Sequence, residues 1–155
     1  TQSYFGDYFW PKALGSGVAQ VLTRVDMAHT FHYTLDVAAG IAELGEASDN
    51  AVYGRWWMLP AAPAESTQKM IDRLASALGQ ELKVQAMPTL VMKGLSLLMP
   101  MLRELGEMGY QWSEAFVADD QAFRARFGGT PVSLDDGAGA MVDWARQHYA
   151  AQHQV

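Results

Sequence analysis

The sequence predicts an α+β fold, mostly helical with a few short strands, in a single lobe over residues 1–155. Apolar residues recur at helical spacing in several segments, most clearly at Met70, Ile71, Leu74, Ala77 and Leu78. Those segments open on Ser, Thr or Asp and close on Gly. The β-prone runs between them, such as residues 30–34 and 53–59, are short. No internal repeat and no long linker divides the chain.

Residues 1–17 are rich in aromatics and glycine, and Pro11, Gly15 and Gly17 interrupt any period, so a short strand and a loop are expected. A short helix is expected over 18–23, then a β segment at Thr30-Phe31-His32-Tyr33-Thr34. Asp36 suits an N-cap, with Val37, Ile41 and Leu44 at i, i+4 and i+7 forming one apolar face. Residues 53–59, with Trp56 and Trp57, read as a strand ended by Pro60. The two indoles should point to opposite faces, one to the core and one to a pocket or partner. Ser66 or Thr67 caps the helix of the Met70–Leu78 stripe, closed by Gly79. A short strand is expected at 82–87.

Pro88 suits the first turn of a helix reaching about Gly106, kinked or split by Pro100. Its several methionines read as core filler or a flexible apolar wall. Asp119 or Asp120 caps a short helix through Phe123 and Phe127, stopped by Gly128-Gly129. Ser133 with Asp136 forms a capping-box-like start to a last helix whose stripe is Leu134, Ala138, Met141 and Ala145.

Composition narrows the function classes. Half of the residues are apolar and 18% are charged, which suits a packed core rather than disorder. A net charge of −6, with 11 scattered Lys and Arg, argues against a nucleic-acid partner, whose phosphates need a basic cluster. Absence of cysteine excludes disulfides, thiolate metal sites and a Cys nucleophile, and fits a cytoplasmic setting. No apolar run approaches the roughly 18 residues that cross a bilayer, because Lys93, Arg103 and two prolines break the richest stretch, 87–105. No signal peptide is evident. Thr1 as first residue fits a trimmed or truncated product.

Several constellations invite chemical readings. Tyr8 and Lys12 stand at i, i+4, where a Lys cation could lower a Tyr pKa on a shared helix face. Pro11 disfavours helical geometry at Trp10, however, so an ordinary loop is the expected state. His29 and His32 are three apart; on a strand they face opposite ways, with no His-rich partner segment nearby, His148 and His153 lying in the C-terminal tail. Glu104 and Glu107 share a helix face beside Arg103, the ordinary pattern of solvated ion partners. The glycine pairs Gly15/Gly17 and Gly128/Gly129 lack the strand–turn–helix context of a phosphate loop.

The order Gly6-Asp7-Tyr8-Phe9-Trp10-Pro11, Asp36-Val37-Ala38, Arg103 to Trp112 and Phe127-Gly128-Gly129-Thr130-Pro131 resembles the C-terminal part of extended short-chain dehydrogenase/reductases, the NAD(P)-dependent epimerase/dehydratase family. Trp10 departs from the glycine usual in that first loop. The family's Gly-rich nucleotide turn and a well-placed Tyr-x-x-x-Lys pair are not found. The resemblance therefore implies a substrate-binding lobe that lacks most of the Rossmann domain, catalytically incomplete, from an oxidoreductase, epimerase or dehydratase. It implies that Asp7, Tyr8, Phe9, Trp10 and Pro11 lie nearest the NAD or NADP of the full-length enzyme, and that Lys12 to Ser16 help line the substrate site. It further implies a small-molecule substrate, a missing N-terminal Rossmann domain as partner, and no dinucleotide binding by this chain alone. A lobe of this kind should leave an apolar face uncovered, expected at Tyr4, Phe5, Tyr8, Phe9 and Trp10 with part of the Met-rich helices, so a homo-oligomer is a further expectation. The alternative is a stand-alone helical module that binds a small apolar ligand or a protein partner.

Overall fold

The computed structural model describes residues 5–21, 24–86 and 114–152. Within them the fold is α+β, with short strands between helices. The order is α1 (Trp10–Ser16), β1 (Val18–Val21), β2 (Ala28–His29), α2 (Thr34–Glu46), a 3-10 turn (Asn50–Val52), β3 (Glu65–Ser66), α3 (Thr67–Leu78), β4 (Lys83–Ala86), α4 (Gln121–Phe127) and α5 (Leu134–Gln152). The expected helix at 88–106, with Glu104, Glu107 and the run from Arg103 to Trp112, lies outside the described residues, as do Tyr4 and His153.

The first segment differs from its sequence reading. Residues 10–16 are helical, not loop. Pro11 occupies the first turn, where its missing N–H is not needed and its fixed φ is already helical, so it starts α1 rather than blocking it. Gly17 ends the helix in a left-handed conformation, and its N–H donates to the Lys12 carbonyl. Residues 18–21 are then a strand, not a helix, with Ala19 and Val21 buried in alternation. β1 runs parallel to β4, pairing Val18 with Lys83 and Val21 with Ala86. A second small sheet pairs β2 antiparallel to β3, His29 opposite Glu65. Phe116 borders the other side of β2: Thr30 N donates to Phe116 O, and Phe116 N to Ala28 O, each at 2.9 Å.

The main core is assembled from widely separated segments. Phe5, Phe9, Trp10 and Ala13 meet Ala19 and Val21 of β1, Met70, Ile71, Leu74 and Leu78 of α3, and Ala138, Val142, Ala145 and Tyr149 of α5. Phe9 and Trp10 are fully buried and Phe5 is 2% exposed. The expectation of an uncovered aromatic face is thus corrected at these three residues. They are large enough to close the gap between α3 and α5, and only Tyr8 of the described group points outward, at 40% exposure.

The helices read from the periodic pattern are present. Ser66 caps α3 by accepting from Lys69 N at 3.3 Å, and Gly79 closes it. Asp119, not Asp120, accepts from Gln121 N at the start of α4, and Gly128 follows its end. Ser133 and Asp136 bond reciprocally at the start of α5, at 2.6 and 3.1 Å.

Three further expectations fail. The β segment expected at residues 30–34 is displaced: the strand is Ala28–His29, and Thr34 already opens α2. Residues 53–59 are irregular. Gly54 has φ 70°, outside the strand region. Trp57 folds back, its Nε1 donating to Val52 O at 2.8 Å, with the Arg55 guanidinium 4.3 Å over its ring. Trp57 packs on Phe123 and Phe127 while Trp56 is 79% exposed, so the two indoles do part company. Asp36 does not cap α2: the N-cap is Tyr33, and the Asp36 carboxylate accepts from Val132 N at 2.9 Å. It ties α2 to the segment before α5. Asp36→Ala should therefore cost about 1–2 kcal/mol, and Asp36→Asn less, because an amide oxygen can still accept. Urea unfolding measures the cost, and amide exchange must show Val132 losing protection in the alanine variant alone.

Candidate functional site

The residues that the sequence points to lie together at the start of the chain, but their side chains divide between core and surface. Asp7 accepts the Tyr149 hydroxyl at 2.5 Å, tying the turn before α1 to α5. That turn is closed by Phe9 N and Trp10 N, both donating to Gly6 O. Phe9 and Trp10 face inward and stack edge-on with centroids 5.2 Å apart. Any ligand here would meet Asp7, Tyr8, Pro11 and backbone, not those two rings. Lys12 is exposed and donates to the Gln20 side chain on β1. Ser16 donates to the Lys12 carbonyl at 3.0 Å, an i to i−4 bond within the helix. Lys12 and Ser16 thus sit on one accessible side of α1, braced against β1.

Tyr149 is the perturbed group of this region. Burial, reinforced by the hydrogen bond to the Asp7 carboxylate, pushes its hydroxyl up to about 12. A folded pKa above the ordinary value of about 10 means that the contact stabilises fully below pH ~10 and fades as pH rises toward 12. Tyr149→Phe should lose about 1 kcal/mol at neutral pH. The gap between variant and parent should narrow above pH ~10. Urea titrations at neutral and alkaline pH check both; a gap that stays constant with pH would discount the Asp7 bond.

His29 and His32 do not join into a site. His29 is buried in β2, and that burial holds its imidazole pKa below the ordinary value. His32 is exposed, with Nε2 3.2 Å from Leu59 O. Among the described residues no three His, Asp or Glu side chains converge as a metal cage would require.

A second region escaped the sequence reading altogether. A cleft of about 510 Å³ opens between residues 61–64, 117–120 and 130–133, with Thr30 and Arg124 also on its wall. Its polar centre is the pair Asp120–Arg124. Asp120 Oδ2 accepts from Ala61 N at 3.0 Å and from Arg124 Nε at 2.8 Å. Arg124 Nη2 donates to Ala61 O at 2.8 Å. The Arg124 hydrogen bond is the largest influence holding the Asp120 carboxyl below the usual carboxylate range, against the effect of burial. The i, i+4 spacing of Asp120 and Arg124 was the signal available beforehand. The partner segment at 61–64 could not be read from it.

α2 is the third surface of note. Its buried residue is Gly40, which faces Leu59 and Phe123; a Cβ there would stand 2.8 Å from Leu59 Cδ2. The opposite side carries Leu35, Ala38, Ile41, Ala42 and Gly45, all exposed, with Thr34 among them and Glu46 at their edge. At 3.6 residues per turn these fall within about a third of the circumference. Ile41 therefore does not share the inward face expected for it with Val37 and Leu44; it is 59% exposed. Compared with known proteins, the sequence matches no family model and no curated protein.

Proposed function

We propose that this chain is the substrate-binding portion of an NAD(P)-dependent oxidoreductase of the epimerase/dehydratase kind, and that α2 meets the dinucleotide-binding lobe. One observation carries the proposal. A helix bathed by solvent on one side ordinarily places charged side chains across it, yet Leu35, Ala38, Ile41, Ala42 and Gly45 form an exposed uncharged stripe on α2, with Glu43 and Glu46 to one side of it. Small and apolar residues in that stripe suit close packing on another element. The same helix carries Asp36-Val37-Ala38, one of the segments on which the family resemblance rests. The cofactor, when bound by the other lobe, supplies the hydride chemistry. In this reading Asp7, Tyr8 and Pro11 present the turn nearest the nicotinamide, and Lys12 and Ser16 orient the substrate from α1.

A second reading, a stand-alone module, is favoured by the burial of Phe5, Phe9 and Trp10 in the chain's own core. Two measurements separate the readings. The full reading frame should encode a Gly-x-x-Gly-x-x-Gly turn and a Tyr-x-x-x-Lys pair ahead of this segment, and its absence would end the enzyme proposal. The chain alone should self-associate through α2 in a sedimentation concentration series, and Leu35→Glu with Ile41→Glu should return it to monomer. A parent chain that stays monomeric throughout would support the module. Calorimetric titration of the chain alone with NAD(H) and NADP(H) should show no micromolar binding, since pyrophosphate recognition rests on a Gly-rich turn.

A further inference from the structure

We infer that the cleft between residues 61–64, 117–120 and 130–133 binds a small uncharged molecule with an apolar body and a carbonyl oxygen, and that Arg124 and Thr30 hold that oxygen. This site contains none of the α1 residues assigned to substrate above, and the inference does not rest on that assignment.

Size and lining set the body of the ligand. A volume of about 510 Å³ lies within the roughly 300–1,000 Å³ usual for small-molecule sites. Ala62, Pro63, Val117, Pro131 and Val132 give it mainly apolar walls. The backbone on both sides is held in place. Ala61 is fixed through Asp120 and Arg124, and Val132 N through Asp36.

Charge sets what the ligand lacks. Asp120 and Arg124 are the charged side chains of the lining, and they neutralise each other at 2.7 Å. An anionic ligand approaching Arg124 meets the Asp120 carboxylate, and a cationic ligand approaching Asp120 meets the guanidinium. Neither gains a net opposite charge, while both lose hydration. A neutral ligand avoids that loss.

The unspent polar groups set what the ligand carries. Nε and Nη2 of Arg124 are committed to Asp120 and Ala61, which leaves the two N–H groups of Nη1 as donors from a guanidinium already locked in orientation. Thr30 Oγ1 accepts from Ala118 N at 2.9 Å, so its own O–H remains a donor. Ser133 is spent on Asp136 in both directions, and Thr130, exposed at the rim, adds a hydroxyl that can donate alongside Arg124 and Thr30. Donors on the wall call for an acceptor on the ligand. A ketone or amide oxygen supplies one without a charge.

Cyclohexanone serves as the probe, with cyclohexanecarboxylate and cyclohexylammonium as charged controls of the same body. Titration followed by amide NMR should give saturable shifts at Ala61, Ala118 and Val132 with cyclohexanone. Each charged analogue should bind about tenfold more weakly or not at all. Arg124→Gln should weaken cyclohexanone about tenfold. Because that variant leaves Asp120 partly unpaired and could unfold, Val117→Trp provides a second arm: Val117 is 65% exposed, and an indole there narrows the cleft without touching the pair. It should abolish the shifts while the spectrum elsewhere stays native. Absence of saturable shifts, tighter binding of the carboxylate, or unchanged affinity in Val117→Trp would each overturn the inference.

Discussion

Trp10→Ala should lose about 3–5 kcal/mol of folding stability, a large part of the total for a domain of this size. The indole is fully buried and touches the Phe9 ring edge-on in the cluster formed by α1, α3 and α5. Neighbours on three elements cannot collapse together into the space it leaves, so the cavity cost adds to the lost transfer energy. Trp10→Phe separates volume from polarity. Its Nε1 finds no acceptor among the described residues, so a phenyl ring removes an unsatisfied donor while leaving a smaller void. Urea unfolding of both variants checks the ranking. If phenylalanine costs as much as alanine, the nitrogen has a partner and the packing account is incomplete.

The second large effect belongs to Arg73. Its Nε and Nη2 hold both carboxylate oxygens of Glu65 at 2.7 and 3.0 Å, and its Nη1 reaches Asp135 at the start of α5. Glu65 is the sheltered partner, its side chain only 10% exposed, whereas Asp135 is 75% exposed and contributes little. Arg73→Ala strands the Glu65 carboxylate in a poorly solvated place and should cost about 2–3 kcal/mol. A lysine cannot reproduce the two-pronged contact and should recover only part. Replacing both residues, Arg73→Met with Glu65→Gln, should return most of the loss, since no buried charge then remains. A double-mutant cycle by thermal unfolding measures this. A double variant as unstable as Arg73→Ala would show that the arginine stem, not the ion pair, holds β3 to α3 and α5.

How far the sequence spoke depended on whether each signal was local. The stripe of α3 was legible because Ser66, Met70, Ile71, Leu74, Leu78 and Gly79 form one contiguous pattern that packing respects. α5 was legible for the same reason. The 10–21 segment was not: Pro11 and Gly17 punctuate helix α1 at its two ends, and both read equally well as breaks in a loop. Asp36 looked like a cap because its neighbours in sequence permit one, whereas its partner, Val132, lies far along the chain. The aromatic run 5–10 was recognised as apolar, but which surface would cover it depended on α3 and α5 arriving from elsewhere. The cleft was least legible of all. It exists only where residues 61–64, 117–120 and 130–133 meet, and the local signals at Asp120, Thr130-Pro131 and Ser133 do not say which segment each will face.

The parallel pairing of β1 with β4 bears on how the chain reaches its structure. Parallel strands cannot be joined by a tight turn, and the connection here contains β2, α2, β3 and α3. Closing so long a loop loses chain entropy before any ladder bond is returned. The packing of α1 on α3 closes the same loop, so the pairing and that part of the core form together. β4 has mostly exposed side chains and adds little burial of its own. Weakening it should therefore lower stability less than truncating the buried residues of α3 that precede it, so the ladder fixes where the chain lies while the core holds it there.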